Sequence, residues 1–324
     1  PLLFRVLATI IFGAPNSLWL LGNDTVRKKM GRKIDGENTA GMPLDPMKEG
    51  CLRLGTSGRI ALPQNQGAMG WRTSHFADQY AAVSKTPQQE NREDAIDLIR
   101  DMVIEIMEWF PERQIVVVTD GFYAPLAGRL PGLLNRIRSD AAIYRKPPKR
   151  KPGQRGCSRM RGERLPTPSE ITSNATDWNL VSAVERVCQR MRLIFVQRVI
   201  WHAVLPGNHF RLIISCDPDG QERDDFFFTN DLTGVPEMLI SGYSDRWVIE
   251  DAFRNGKQFL GIEQPQSRKG SGSVTAAAMG YAVYALVWSW FINGDYFAFK
   301  SRSCYQSKTT HSFLDTLAGI RQQI

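Results

Sequence analysis

One stretch limits the possible folds of this chain more than any other, residues 243–257, YSDRWVIEDAFRNGK. No Gly or Pro interrupts it before Gly256, which predicts a helix of about four turns. On a helical wheel Val248, Ile249, Ala252, Phe253, Phe259 and Leu260 share one face, suited to a core. Tyr243, Arg246, Glu250, Arg254 and Lys257 share the other. Glu250 stands four residues after Arg246 and four before Arg254, so a cation flanks it one turn away on each side. An amphipathic helix carrying ion pairs accounts for this pattern. A site where a divalent cation meets phosphate accounts for it too, the carboxylate holding the cation and the basic and phenolic groups holding phosphate oxygens.

Composition decides between partner classes. The net charge of +8 over 324 residues favours a polyanionic partner, and 42% hydrophobic residues suffice for a core. The five Cys, at 51, 157, 188, 216 and 304, form no CxxC pair, and the four His do not cluster with them. That argues against a zinc site or a disulfide framework and fits a reducing cytoplasm. No basic-then-apolar leader is seen. The chain begins at Pro1, and the apolar run 1–12 reads as the end of a helix continued from a preceding segment.

Two further carboxylates stand where chemistry is expected. SLWLLGNDT (17–25) reads as a buried strand delivering Asp24 near its end, and QIVVVTDGFYA (114–124) reads as a strand buried on both faces ending in Asp120. Each Asp also suits a plain turn or cap. Residues 86–110 predict an amphipathic helix with Ile96, Ile99, Val103, Ile106, Met107 and Phe110 inside. Within 42–84 strand signals are weak, confined to CLRL, RIAL and a stretch near Phe76. Residues 145–168 hold nine Lys or Arg against Glu163 alone and predict a loop, either a charged linker or one laid on DNA phosphates. Strands are expected in 190–230, separated by PGN and DPDG turns. Trp178 and Trp201 read more readily as packed residues than as stacking platforms for an extruded base. The uncharged run 275–292 is long enough for a membrane helix, but its Ala, Gly, Ser and Tyr content predicts a buried core helix. No membrane partner is expected.

Tyr243, Arg246, Glu250 and Lys257, spaced Tyr-x2-Arg-x3-Glu-x6-Lys, resemble the signature of DDE transposases from bacterial insertion sequences, in the insertion-sequence-four-like branch. LISGYSDRWVIEDAFRNGKQFLGIEQPQSR extends the resemblance beyond these positions. Asp120-Gly121 resembles the second catalytic Asp of that family, and Asn23-Asp24-Thr25 its usual Asp-Asp-Thr. Here Asn23 stands at the first Asp. Either Asp24 serves through a different register or the site lacks one charged ligand, since neighbouring strand residues point to opposite faces.

The resemblance implies an α/β fold. Its core would be a ribonuclease-H-like mixed sheet flanked by helices, with a β-rich insertion before the catalytic Glu helix. The divisions expected are 1–145 for the first part of the core, 146–235 for the basic loop and insertion, and 236–324 for the rest. Asp24, Asp120 and Glu250 would hold two Mg2+ ions, with Mn2+ able to substitute. Tyr243, Arg246, Arg254 and Lys257 would contact DNA. The implied activity is metal-dependent cleavage of double-stranded DNA at transposon ends and strand transfer into target DNA, by a homodimer, in the cytoplasm and on the nucleoid when bound. The alternatives are an inactive, truncated DNA-binding remnant and a metal-dependent nuclease of the same core.

Overall fold

The structure is a computed structural model that describes residues 17–27, 47–55, 75–80, 95–149, 153, 155–185, 188–265, 272–293 and 311–323. In chain order these form β1 (Ser17–Arg27), β2 (Met47–Gly55), β3 (His75–Tyr80), α1 (Ala95–Trp109), β4 (Gln114–Val118), a 3₁₀ helix (Gly121–Gly128), β5 (Leu133–Arg136), α2 (Pro168–Asn174), β6 (Asn179–Glu185), β7 (Cys188–Val199), β8 (Phe210–Cys216), β9 (Asp225–Thr229), α3 (Pro236–Ser244), α4 (Trp247–Phe259), α5 (Gly272–Asn293) and α6 (Phe313–Gln323). Contacts divide the chain into two units. The first comprises Pro1–Pro63, Arg72–Arg113 and Trp247–Ile324, the second Gln64–Trp71 and Gln114–Arg246.

In the first unit β1 pairs antiparallel with β2, and β2 with β3. The core end of β1 is apolar, with Leu18, Trp19, Leu20 and Leu21 buried. The strand continues through Arg27, past the end at Thr25 that its sequence suggests. Cross-strand pairing accounts for the extension, because Asn23, Asp24, Thr25 and Val26 all have partners on β2, Asp24 opposite Gly50. CLRL lies in β2 and Phe76 in β3, as the weak signals suggested, whereas RIAL lies outside the described residues. Helix α1 buries Ile99, Met102, Val103, Ile106 and Phe110 on one face and packs on β1 and β2. Its expected first part, 86–94, lies outside the described residues.

Helix α4 packs on β1 and α5. It buries Ile249, Ala252, Phe253 and Gly256. A Cβ on Gly256 would meet Ile262 Cδ1 at 2.6 Å and Tyr281 Cε1 at 2.9 Å, so a larger residue there would have to push both side chains aside. Phe259 departs from its expected core face and is 38% exposed, because it lies at the helix end. Helix α5 is the uncharged run, buried along Ala277, Tyr281, Tyr284, Val287 and Phe291 but exposed at Met279, Val283 and Leu286. The expected core helix thus buries one face and leaves the other exposed. Among the described residues no helix is long and apolar enough to cross a membrane.

The second unit is built on a mixed sheet in the order β4-β5-β9-β8-β7-β6. Strands β4 and β5 are parallel, Val117 opposite Leu133 and Val118 opposite Leu134. The other neighbours are antiparallel. The strands expected as an insertion therefore continue the sheet of β4 and β5, through the pairing of β9 with β5. All of β8 is buried, as are Ile115 to Val118 of β4. Each buried Val, Leu, Ile or Phe among them contributes about 1.5–3 kcal/mol when removed from water. Helix α3 packs against β6 and β5.

The connection from β4 to β5 is a short crossover through the 3₁₀ helix, where Tyr123 and Leu126 are fully buried. It closes at Gly132, with φ 68°. A Cβ there would lie 2.3 Å from the Ile115 carbonyl oxygen, and Val117 N donates to Gly132 O at 2.9 Å. No other residue suits that backbone and that spacing.

Candidate active site and nucleic-acid contacts

Asp120 is placed by the buried end of β4. Thr119 is fully buried and accepts a 3.0 Å hydrogen bond from the Asn135 amide of β5, itself fully buried. Thr119 N donates to Leu134 O, which extends the β4–β5 ladder to the residue before Asp120. Asp120 then caps the 3₁₀ helix, its Oδ1 accepting from Phe122 N at 3.0 Å. One carboxylate oxygen is thus committed to holding the turn, and the side chain is only partly buried. Strand β5 ends alongside at Arg136, whose carbonyl oxygen lies 3.7 Å from where a Cβ on Gly121 would stand.

A cationic aromatic cluster belongs to the same unit. Tyr243, at the C-terminal end of α3, is 8% exposed and packs its ring 4.7 Å from that of Phe227. The guanidinium of Arg136 lies 5.5 Å from the Tyr243 ring centre and that of Arg246 lies 5.9 Å away. Arg136 also stands 6.0 Å from the Phe227 ring and pairs with Asp225. Burial raises the Tyr243 phenol above its ordinary value, the Arg246 and Arg136 cations oppose the rise, and Asp120 adds to it. The phenol therefore stays protonated at neutral pH and can donate a hydrogen bond.

The single helix expected over 243–257 is two helices. Arg246 N donates to Tyr243 O at 3.0 Å, a three-residue closure that ends α3, and α4 begins at Trp247. Tyr243 accordingly joins a core instead of an exposed polar face. Ion pairs lie along α4 and its C-terminal end. Arg254 pairs with Asp251 at 3.1 Å, and Lys257 with Glu263 at 3.3 Å. Glu250 lies in the first turn of α4, partly buried. Asp24 is carried by β1, the strand on which α4 packs, and its side chain lies outside the described residues. The second unit thus brings together Asp120, Tyr243 and Arg246. The first carries Glu250, Arg254, Lys257 and the backbone of Asp24. Among the described residues no group of three His, Cys, Asp or Glu gathers to hold a metal ion.

A family model described as a transposase DDE domain matches residues 79–286. The chain belongs to the transposase DDE domain family. No curated protein matches it. The matched span of the transposase domain takes in Asp120, Tyr243, Arg246, Glu250, Arg254 and Lys257, and Asp24 precedes it. As a transposase the chain has DNA as its substrate class, which fits its net charge of +8.

Two aromatic residues weighed as stacking platforms in this transposase are engaged in packing. Trp178 donates its indole N–H to Ala175 O at 2.9 Å and stands 5.9 Å from Phe195, while Trp201 meets Phe228 edge-on at 5.1 Å. The basic loop is anchored at its base by the bridge between Tyr144 and Arg164, with Arg145 N donating to Glu163 O. Its described basic residues, among them Lys146, Lys149, Arg155 and Arg159, are exposed. Arg161 stacks on Tyr144 at 4.7 Å and donates to its hydroxyl. Sequence reasoning passed over Arg136. Its signal was the run LLNR, a strand that ends in a cation beside the strand ending in Asp120.

Proposed function

We propose that this chain is a DNA transposase of the branch carrying the Tyr-Arg-Glu-Lys signature. It would cut at transposon ends and transfer them into target DNA, acting as a homodimer that brings two ends together. The observation that carries this reading is the placement of Asp120 at the end of a buried strand, in one unit with Tyr243 and Arg246, within a chain of the transposase DDE family. The proposed donor set is carboxylate oxygen throughout, which suits a hard divalent cation. Asp120, Glu250 and Asp24 would hold Mg2+, or Mn2+ in its place. When bound, the cation supplies charge neutralisation at the reacting phosphate and activation of the attacking water or 3′-hydroxyl.

The chain's own residues divide the rest of the work. The protonated Tyr243 phenol donates to a phosphate oxygen. Arg246 offers paired N–H groups and Lys257 a point charge. Arg254 adds positive potential along the same helix as Glu250. A second reading, a DNA-binding remnant without catalysis, is favoured by one observation, the amide of Asn23 in place of a carboxylate. A nuclease that cuts without joining is the third.

Cleavage of supercoiled plasmid carrying the element's ends, in Mg2+ or Mn2+, separates the three. Wild type, Asn23→Asp and Glu250→Gln are compared. The transposase reading expects cut and joined products in the wild type and loss of both in Glu250→Gln, with duplex binding retained. Cleavage only in Asn23→Asp establishes the remnant, and cutting without joined product establishes the nuclease. Equal loss of cleavage and binding in Glu250→Gln would overturn the ligand role of Glu250.

A further inference from the structure

We propose that Arg136 is a DNA-backbone contact beside Asp120, and that Asp225 is its positioning residue, a counter-ion that holds the guanidinium ready and yields it to an incoming phosphate. The inference rests on the transposase reading and adds residues that its signature does not contain.

Four observations carry it. Arg136 ends the strand that runs parallel to β4, so its position is fixed by the same sheet that fixes Asp120. Its guanidinium lies over Tyr243, whose other cation neighbour is Arg246, so two arginines flank one phenol. The side chain is 52% exposed although it leads from a buried strand, so about half of it is within reach of a ligand in solvent. Its carboxylate partner Asp225 lies on β9, two residues from Phe227, the cross-strand neighbour of Arg136.

The chemistry follows from that arrangement. An arginine attracted to an aromatic face by its charge keeps N–H groups that the ring does not use, and these can pair with a phosphate. A half-exposed ion pair is worth little to the fold, so exchanging a carboxylate for a phosphate costs little stability. Burial lifts the Asp225 carboxyl above its ordinary value despite the opposing pull of Arg136. The carboxylate thus depends on Arg136 to offset its burial, and its partial exposure leaves a phosphate room to compete for the same guanidinium. The pair keeps Arg136 from extending into solvent and keeps its charge masked until a polyanion arrives.

The test is the salt dependence of binding to a fluorescein-labelled 40-base-pair duplex of mixed sequence, read by anisotropy with the full chain. Wild type, Arg136→Ala, Asp225→Asn and the double variant are compared, with folding verified by circular dichroism. Arg136→Ala should weaken binding about tenfold near 0.1 M salt and lower the log–log salt slope by about 0.9, the value of one duplex phosphate contact. Asp225→Asn should tighten binding several-fold while Arg136 is present. It should have no such effect in the double variant, which also removes the unpaired carboxylate that Arg136→Ala leaves behind. A structural pair would lower the melting temperature in both single variants and leave the slope unmoved.

An unchanged slope in Arg136→Ala, or weaker binding in Asp225→Asn at full folding, overturns the proposal and leaves the transposase reading standing. A wild type with no salt-dependent affinity for the duplex overturns both. If Arg136→Ala fails to fold, Arg136→Gln and Asp225→Asn carry the same comparison.

Discussion

Two arginines on separate strands of the second unit's sheet have opposite fates. Arg192, on β7, is 6% exposed and saturated by carboxylates. Its Nε donates to Glu185 at 2.8 Å, and its Nη2 donates to both Glu185 and Glu222. Arg190 closes the group by pairing with Glu222. Arg136 has one carboxylate partner, two aromatic rings and half its surface in water. The net charge of the sequence counts the two alike. One guanidinium is enclosed by carboxylates inside the fold, whereas the other is half exposed with a single carboxylate partner, so equal contributions to a net charge differ in how readily a polyanion can reach them.

The largest effect that would break this comparison is on stability. Arg192→Ala should cost about 3 kcal/mol in urea unfolding, because it strands two carboxylates, one of them largely buried. A loss no larger than that of a surface pair would place Arg192 with Arg136. The matching change, Arg136→Ala, should cost under about 1 kcal/mol by the same measurement, and a cost as large as that of Arg192→Ala would make it a structural arginine.

The smallest effect is a pH dependence. Hydrogen bonding to Arg192 holds the Glu222 carboxyl below its ordinary value of 4.5. A lowered folded value contributes stability above the unfolded value and loses it as pH falls through the folded one. Burial holds Asp225 above 3.8, so its effect has the opposite sign, stability falling as pH rises from 3.8 toward the raised value. Melting temperatures from pH 6 down to pH 3 should therefore fall less steeply in Glu222→Gln than in wild type, and more steeply in Asp225→Asn. Parallel curves for all three would remove both carboxylates from the comparison.

Much of this was legible in the chain. Strand β4 announces itself as a β-branched run, and α1 as an apolar period, because both patterns follow from burial on fixed faces. The misreadings share a cause too. Residues 243–257 contain no helix breaker before Gly256, so nothing local marks the end of α3; packing of Tyr243 on Phe227 accompanies it. Strand β6 was missed because only Ala183 of its side chains is buried, which leaves no alternation to detect. The pairing of Arg254 with Asp251, three residues before it, is a choice among neighbours that a helical wheel does not resolve. Membership in the transposase family, in contrast, was readable from a few spaced residues, since their chemistry fixes their types.

The crossover that closes at Gly132 leaves little slack between Asp120 and Arg136. Tyr123 and Leu126 fill it, its glycine has no substitute, and β4 and β5 are in register beyond it. A one-residue slip of β5 against β4 would turn β5 over, since alternate strand residues face opposite sides. The buried amide of Asn135 would then exchange places with the exposed guanidinium of Arg136, leaving a charge in the core and an amide in water. Any change in length has therefore to be taken up inside the crossover, as a rebuilt connection that leaves the phase of β5 unchanged.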